Sequence, residues 1–320
     1  MRPRAVALRA IGLGDFLVGV PALRTLRRAL PDHELVLAAP RVLQPLVDLA
    51  GAVDRLLPTA ELAPVPWTGP APDVAVDLHG NGPASMRLLE ALRPGRLVAF
   101  ADPAGPQWCA DEHERTRWCR LVSESFGVPA DPGDLLLARP AAPPVVEDAV
   151  VVHAGAASAS RRWPVERFGE VARWAAGRGE RVALTGSAAE ADAAHAVAET
   201  AGLSAASVLA GRTDLAELAA VVAAARLVVA GDTGVAHLTS AYRTPSVLLF
   251  GPVPPSQWGP PAEGPHTVLW HSTGRGDPHG DKVDPALLRI EVAEVVDAME
   301  LRLAVQRGSP ARQRSTAPSG

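Results

Sequence analysis

Short apolar runs alternate with longer helical patterns along most of the chain. In the first half, runs typical of buried strands cover residues 5–9, 34–38, 55–57, 74–77 and 96–100. The clearest helical pattern covers residues 16–30 and places Leu17, Val20 and Leu23 on one face. Strands that alternate with helices in this way are typical of parallel α/β units. The first half therefore predicts a doubly wound parallel sheet.

A proline-rich segment separates this half from a second one with the same pattern. Three prolines between residues 138 and 148 remove backbone donors and restrict φ, so neither a helix nor a central strand is expected there. Beyond it, strands are predicted at residues 149–153, 181–185, 226–230 and 246–250. Helices are predicted at residues 165–177, 188–201, 214–224, 235–241 and, after a loop at 251–265, 285–305.

The pattern thus predicts two Rossmann-like domains. The N-terminal domain covers residues 1–140, a linker covers 141–148, and the C-terminal domain covers 149–306. Residues 307–320, rich in Ser, Pro, Arg and Gln, are predicted to be a disordered tail. Two such domains are expected to leave a cleft between the carboxyl ends of their sheets, where ligands of these folds bind.

Composition excludes several classes of protein. A net charge of −4 over 320 residues, with no basic run interleaved with aromatics, disfavours a nucleic-acid partner. The single lysine, Lys282, lies in a polar stretch, which rules out a Walker A loop, a protein kinase and a pyridoxal phosphate enzyme. No apolar run is long enough for a membrane span or a signal peptide, so a cytoplasmic protein is expected.

The loop after the first predicted strand carries the first candidate chemistry. It reads Ile-Gly-Leu-Gly-Asp and ends at Asp15, before the predicted helix. The glycine spacing does not fit a dinucleotide fingerprint, and no acidic residue ends the second strand to hold a ribose. Asp15 is either the N-cap of the helix or a carboxylate that accepts a proton. The sequence leaves these two readings equal.

Two loops of the second half contain features suited to a phosphate group. Small residues follow His153, and Arg161 or Arg162 could neutralise a phosphate bidentately. Asp232, Thr233, Gly234 and Val235 lie between an apolar strand and a helix, whose first amides form an anion site, with His237 one turn on. Each loop, taken alone, is equally compatible with a plain capped turn.

Taken together and in this order, these loops resemble the glycosyltransferase family that contains the ADP-heptose lipopolysaccharide heptosyltransferases, family 9. The matching pieces are Gly14-Asp15 with Pro21-Ala22-Leu23-Arg24, Val76-Asp77-Leu78-His79-Gly80, Arg161-Arg162-Trp163-Pro164, Leu184-Thr185-Gly186, Gly231-Asp232-Thr233-Gly234 with His237-Leu238, and Phe250-Gly251-Pro252. The similarity covers roughly residues 4 to 300.

The resemblance implies a GT-B fold and an inverting transfer that needs neither a metal nor a cofactor, with a nucleotide-diphosphate sugar as co-substrate. ADP is the favoured nucleotide, and heptose or a related sugar is the expected donor group. Asp15 would be the general base, and Arg161 stands where the family usually has a phosphate-binding lysine. The other donor-side residues implied are Glu190, Asp232, Thr233, Gly234, Val235 and His237.

The acceptor is expected on the N-terminal domain and is a glycan or glycolipid hydroxyl. Gly14, Asp77, Asn81 and Ser85 lie in the acceptor-side motifs, although Asp77 is equally suited to cap the following turn. The arginine face of the first helix, formed by Arg24, Arg27 and Arg28, is expected to be solvated and offers a possible peripheral contact with anionic lipid.

Two other functions stay open at this point. A sugar-nucleotide epimerase on the same architecture would need further acid and base groups beside Asp15 and His237. A non-catalytic nucleotide-sugar-binding protein would need none. Both would share the predicted fold.

Overall fold

The computed structural model describes residues 2–272 and 274–307. The chain divides into two compact units. One contains the chain up to Ala141 together with Ser256–Trp258, and the other begins at Ala142. The predicted disordered tail lies outside the described residues, apart from residue 307.

The N-terminal unit is built on a five-stranded sheet in the order β3-β2-β1-β4-β5, with every neighbouring pair parallel. Its strands are β1 (Arg4–Leu8), β2 (Glu34–Ala39), β3 (Arg55–Pro58), β4 (Val74–Asp77) and β5 (Arg96–Val98). Its helices are α1 (Leu13–Ala29), α2 (Gln44–Ala50), α3 (Pro83–Glu90) and α4 (Glu114–Phe126).

The C-terminal unit holds a second five-stranded parallel sheet, in the order β10-β9-β8-β6-β7. Its strands are β6 (Val150–His153), β7 (Val182–Thr185), β8 (Leu227–Gly231), β9 (Ser246–Phe250) and β10 (His266–Trp270). The helices are α5 (Val165–Gly177), α6 (Ala191–Ala201), α7 (Leu215–Ala224), α8 (Gly234–Tyr242), α10 (Pro285–Leu288) and α11 (Val292–Arg307). The short helix α9 (Pro255–Trp258) has its last three residues, Ser256–Trp258, in the N-terminal unit.

The central strands of both sheets are buried along almost their whole length. Ala5 through Leu8 of β1 and Val150 through Val152 of β6 are each at most 1% exposed. Strands covered by helices on both faces need apolar side chains at every position, which is why they read as continuous hydrophobic runs. The predicted α/β class with two parallel sheets is therefore confirmed.

The strand order reverses once in each sheet. In the N-terminal unit the chain winds outward from β1 in one direction and from β4 in the other; in the C-terminal unit the two strands are β6 and β8. Loops that leave such a pair diverge to opposite faces of the sheet and open a crevice beyond the carboxyl ends. These two points are where ligand-binding groups are expected.

Two elements of the C-terminal unit differ from the prediction. Strand β10 lies in a region that the sequence pattern left without structure, because its five residues are only half-buried at the sheet edge and show no strong alternation. The predicted helix at residues 285–305 is interrupted between Leu288 and Val292. There the carbonyl of the fully buried Ile290 accepts bonds from Trp163 Nε1 at 3.2 Å and Arg167 Nη1 at 2.6 Å. These tertiary bonds take the place of helical continuation.

The arginine face of α1 is not the free solvated surface that the sequence suggested. Arg24 Nη1 donates to Asp134 Oδ1 at 2.7 Å, and its Nη2 donates to the Leu136 carbonyl at 2.7 Å. Arg27 pairs with Asp54, and Arg28 Nη1 lies 3.3 Å from Asp134 Oδ2. The face therefore fastens neighbouring loops to α1.

The close packing of α5 against α6 depends on a glycine. A Cβ on Gly169 would lie 2.3 Å from Thr200 Cγ2, whereas a Cβ on Gly177 of the same helix would meet nothing within 4 Å. We expect Gly169→Ala to lower the free energy of unfolding by about 2 kcal/mol through overpacking. Gly177→Ala should be neutral or stabilising by about 0.5 kcal/mol, because alanine favours helix. Denaturant unfolding of both variants measures the difference, and equal midpoints would contradict the packing.

Candidate functional site

A buried arginine occupies the reversal point of the N-terminal sheet. Arg9 follows β1 directly and is 0% exposed. Its Nε donates a hydrogen bond to the backbone carbonyl of Asp15, and its Nη1 donates to the carbonyl of Leu78, the residue after β4. The guanidinium thus joins the two loops that diverge at this point.

Three carboxylates surround this guanidinium. Arg9 Nη2 lies 3.9 Å from Asp15 Oδ1 and 3.6 Å from Glu114 Oε1. Burial lowers the pKa of Arg9, and the negative charges of Asp15, Glu114 and Asp77 oppose that shift. Arginine resists deprotonation even in such surroundings because its guanidinium is a very weak acid. The loops at the end of the N-terminal sheet therefore hold a buried positive charge.

Asp15 is the third residue of α1 and not its N-cap. The helix begins at Leu13, and Gly12 is the N-cap in an extended conformation, with its carbonyl accepting from Phe16 N at 3.0 Å. The N-cap interpretation of Asp15 and a helix start after Asp15 are therefore both wrong. Gly12 adopts the extended φ/ψ that ends the loop, so the helix starts at Leu13, three residues before the predicted start at residue 16. The Asp15 carboxylate, 28% exposed, lies in the first helical turn, where negative charge is stabilised.

Asp77 ends β4 and is fully buried. Ser85 Oγ donates to its Oδ2 at 2.7 Å, and the backbone N–H of His79 donates to its Oδ1 at 2.9 Å. Burial raises the pKa of Asp77 to about 6, although these hydrogen bonds and Arg9 act in the opposite direction. Asn81 is exposed in the loop between β4 and α3. Asp77 therefore does cap the turn after its strand, and it faces the same buried arginine as Asp15.

At the reversal point of the C-terminal sheet, Arg161 meets the loop after β8. Arg161 closes a 3-10 turn, Ala159–Arg161, in the loop that follows β6. Its Nη1 lies 4.0 Å from Asp232 Oδ2 and 3.5 Å from the Asp232 carbonyl, and its Nε donates to Ser158 Oγ at 3.3 Å. The side chain is 23% exposed, so part of the guanidinium faces solvent. Gly14, which was predicted on the acceptor side, lies in α1 of the N-terminal unit.

The N-terminus of α8 lies directly after β8. Thr233 is the N-cap with extended backbone, and its side chain makes no capping bond. Thr233 Oγ1 is buried without a hydrogen-bond partner in the described part of the chain. Gly234 and Val235 open the helix, so their N–H groups have no partner within it, and His237 is buried one turn on. Asp232, Thr233, Gly234 and Val235 thus form an anion-compatible helix start.

Glu190 lies beside the carboxyl end of β6. Ser187 donates to Glu190 Oε2 from both its backbone N–H, at 2.7 Å, and its Oγ, at 2.8 Å. A Cβ on Gly155 would lie 2.0 Å from Glu190 Oε1, so only glycine leaves room for this carboxylate. Burial would raise the pKa of Glu190, but the Ser187 bonds and the nearby His153 and Arg162 bring it below its ordinary value.

Three titratable groups of these sites were not identified from the sequence. Arg9, Glu114 and His153 carry no role in the predicted site, although Arg9 lies at the end of an otherwise apolar strand. A charged residue in a continuous hydrophobic run is the signal that could have indicated it. Glu114 begins α4, far from Arg9 along the chain, so no local pattern predicts their pairing. Burial lowers the pKa of His153, whose Nδ1 lies 3.1 Å from Thr185 Oγ1.

The described residues contain neither a cluster suited to a metal ion nor a helix suited to a membrane. Among residues 2–272 and 274–307, no group of three or more His, Cys, Asp or Glu side chains has an arrangement that could hold a metal ion. Within the same ranges, no helix has the length and apolar character needed to cross a membrane.

Comparison with known proteins identifies the family. The profile of glycosyltransferase family 9 (heptosyltransferase) matches residues 106–279, more than half of the chain. Lipopolysaccharide heptosyltransferase 1 of Pseudomonas aeruginosa is 38% identical over 156 residues, which are 48% of this chain and 43% of that protein. Its Salmonella typhimurium counterpart is 27% identical over 291 residues, covering 80% of this chain and 90% of that protein.

The fold similarity is more extensive than the sequence similarity. The solved structure of the E. coli ADP-heptose LPS heptosyltransferase II superposes with a TM-score of 0.75 at 19% identity, covering 95% of this chain and 100% of that one. The two parallel-sheet units thus define a GT-B type fold. This chain belongs to glycosyltransferase family 9 and is heptosyltransferase-like, so the resemblance inferred from the loop motifs is confirmed.

The raised pKa of Asp77 predicts how stability depends on pH. The folded protein holds the Asp77 proton more tightly than the unfolded chain does. Protonation of Asp77 therefore stabilises the fold fully below pH 3.8, and this stabilisation is lost as the pH rises through about 6. Asp77→Asn keeps the acceptor for His79 N–H but does not titrate. Relative to wild type, we expect the variant to gain about 2 kcal/mol of unfolding free energy between about pH 4 and about pH 7.

Denaturant unfolding across this range measures the effect, with Asp54→Asn as the control. Burial would raise the pKa of Asp54, but the Leu35 N–H and the Arg27 guanidinium bring it below its ordinary value. Its stability contribution is therefore lost only at more acidic pH, and the control should differ from wild type by a constant amount over this range. A constant difference for Asp77→Asn as well would contradict the raised pKa.

Proposed function

We propose that this protein is an inverting, metal-independent glycosyltransferase that moves heptose or a related sugar from an ADP-linked donor to a hydroxyl of a glycan or glycolipid acceptor. Family membership supports sugar transfer, and its structural neighbour from E. coli is an ADP-heptose LPS heptosyltransferase. Lipopolysaccharide appears in the names of the curated relatives and points to a glycolipid-type acceptor. The observation that carries the proposal is the anion-compatible helix start at Thr233 with Arg161 beside it.

The donor half of the proposal rests on charge. Cleavage of an anomeric C–O bond leaves negative charge on the departing diphosphate, and preorganised donors stabilise that charge without reorganising. The helix N-terminus at Thr233 and Gly234 supplies amide donors and partial positive charge. Thr233 Oγ1, buried without a partner in the described residues, supplies a hydroxyl for the same group. Asp232 and His237 complete the wall of this donor site.

Geometry favours Arg161 over Arg162 as the phosphate ligand. Arg161 Nη1 lies 3.5 Å from the carbonyl of Asp232, next to the helix start, and its guanidinium is partly open to solvent. Arg162 Nε instead donates to the Ala156 carbonyl at 2.9 Å, and Arg162 acts electrostatically on Glu190. A guanidinium binds a diphosphate with two parallel N–H bonds, which a lysine in this position could not do.

The acceptor half rests on Asp15. An acceptor hydroxyl becomes acidic only as it bonds to the anomeric carbon, so a carboxylate of ordinary basicity can take its proton late in the step. Asp15 is ionisable, partly exposed and fixed in the first turn of α1. Gly14, Asp77, Asn81 and Ser85 form the neighbouring acceptor-side surface in this proposal, and Glu190 contacts the nucleoside ribose on the donor side.

The donor is testable by thermal shift with ADP-, GDP-, UDP- and dTDP-linked sugars. An ADP-linked sugar at about 100 times its Kd should stabilise the wild type by about 3 kcal/mol. Arg161→Ala combined with Thr233→Val should abolish that shift because both phosphate ligands are lost. Arg178→Ala is the matched control, since Arg178 pairs with Glu300 at the surface at 2.8 Å and should leave the shift intact. Absence of any shift at millimolar donor would contradict the donor assignment.

The base is testable by Asp15→Asn, which keeps the shape of the side chain and removes its ability to accept the proton. Turnover should fall at least about a hundredfold while the donor-induced thermal shift stays at its wild-type value. Product analysis with donor alone and with donor plus acceptor accompanies the rate measurement, in the presence and absence of a chelator. An epimerase would convert the donor without acceptor, and a binding protein would show no turnover for Asp15→Asn to reduce.

A further inference from the structure

The buried Arg9 is a costly feature that fold stability alone does not require. A guanidinium removed from water must recover its lost hydration through neighbours, and an apolar residue at such a position is often as stable. Arg9 makes two backbone bonds, to Asp15 and Leu78. Within residues 2–272 and 274–307, its third nitrogen, Nη2, has no partner at ordinary hydrogen-bond distance and faces the carboxylates of Asp15 and Glu114 at 3.9 and 3.6 Å.

The surroundings of Arg9 are shaped to hold the guanidinium in one place. A Cβ on Gly19 of α1 would lie 2.7 Å from both Cδ and Nε of Arg9, so the side chain occupies the space that a larger residue would fill. On the other side, the Arg9 guanidinium carbon lies 4.9 Å from the ring centre of Trp118 in α4. The same Trp118 donates from Nε1 to Glu114 Oε1 at 2.6 Å.

Glu114 extends this contact to a loop. Its other oxygen pairs with the buried Arg117, whose Nη2 donates to the carbonyls of Cys109, Ala110 and Glu112 at 2.8 to 3.0 Å. A continuous buried chain of opposite charges therefore runs from Asp15 through Arg9 and Glu114 to Arg117. Arg117 holds the loop before α4, and Glu114 links Arg117 to Arg9, which contacts Asp15.

We propose that Arg9 is a positioning residue, which keeps Asp15 ionised and fixes its carboxylate through the buried chain Asp15–Arg9–Glu114. The inference rests on the proposed role of Asp15 as the base. Without the guanidinium, the carboxylates of Asp15, Asp77 and Glu114 would repel one another, and a carboxyl in that position would protonate more readily. The Asp15 backbone carbonyl would also lose the donor that fixes the first turn of α1.

The other charged groups around Arg9 enter the same balance. His79 lies just after β4. Burial, and to a smaller extent the positive charge of Arg9, lowers the pKa of His79, so this residue adds no second cation in neutral solution. Asp77 binds its own donors from Ser85 and His79. Arg117 neutralises the outer oxygen of Glu114. Asp15 is thus the carboxylate of this group that lies in a helical first turn and is partly open to solvent.

The test combines carboxyl ¹³C NMR titration of Asp15 with pH–rate profiles for Arg9→Lys and Arg9→Met, with Asp15→Asn assigning the resonance. In Arg9→Met the titration midpoint of Asp15 should rise by about one pH unit, and the acidic limb of the rate profile should move by the same amount. On the plateau, kcat should fall at least about tenfold with the KM for the donor unchanged. In Arg9→Lys the Asp15 midpoint should lie closer to its wild-type value than kcat does, because lysine keeps the positive charge but lacks the planar set of N–H donors.

Gly19→Ala tests position separately from charge and also serves if Arg9→Met does not fold. It displaces the guanidinium but keeps its charge, so kcat should fall while the Asp15 midpoint moves less than in Arg9→Met. Arg226→Met is the matched control. Arg226 precedes β8, at the amino end of the other sheet, and pairs with Glu180 at 3.2 Å, so its loss should alter neither quantity.

The outcomes separate this inference from the proposed function. A wild-type Asp15 midpoint together with wild-type kcat in Arg9→Met would overturn the positioning role, and so would wild-type kcat in both Arg9→Lys and Gly19→Ala if Arg9→Met does not fold. If the wild-type protein transfers no sugar, the proposed function fails, and the NMR titration still decides whether Arg9 controls the ionisation of Asp15.

Discussion

Every strand of both sheets runs parallel to its neighbours, and the rest of the structure depends on that constraint. Parallel strands need crossover helices on both faces, so the side chains of the central strands are buried and apolar along most of their length. Polar groups can emerge only where the strands end. At the two reversal points, between β1 and β4 and between β6 and β8, diverging loops leave backbone groups that need partners. The two candidate sites of the protein lie at these two points.

The two units meet this need in different ways. In the N-terminal unit a buried guanidinium satisfies carbonyls from both diverging loops and collects carboxylates around it. In the C-terminal unit the free donors of a helix start and a partly exposed Arg161 leave positive character open to solvent. The first arrangement suits a group that accepts a proton, and the second suits a group that binds an anion.

The single lysine of the chain makes arginine the cation of both sites. A guanidinium offers five donors in a rigid plane and resists deprotonation when buried, which a lysine ammonium does not. At Arg9 this property allows two carbonyls and two carboxylates to share one cation. At Arg161 it allows one side chain to contact the loop after β8 and still present donors outward.

Much of the fold was predictable from local pattern. Strand β4, helix α5 and strand β9 have the boundaries that the sequence indicated, because buried runs and amphipathic periodicity are local properties. The loop motifs were sufficient to identify the family. The roles of Asp15, Arg161 and Glu190 remain predictions, although the structure locates Asp15 in the first turn of the helix after β1 and the other two in the loops after β6 and β7.

What the sequence could not determine depends on partners distant along the chain. Strand β10 forms because β9 offers an edge, and the last helix breaks at Ile290 because Trp163 and Arg167 take its carbonyl. Gly12, not Asp15, caps α1, and Arg9 meets Glu114 across more than a hundred residues. Local periodicity records which residues are buried, whereas hydrogen bonds and ion pairs between distant segments are decided only when the sheets bring those segments together.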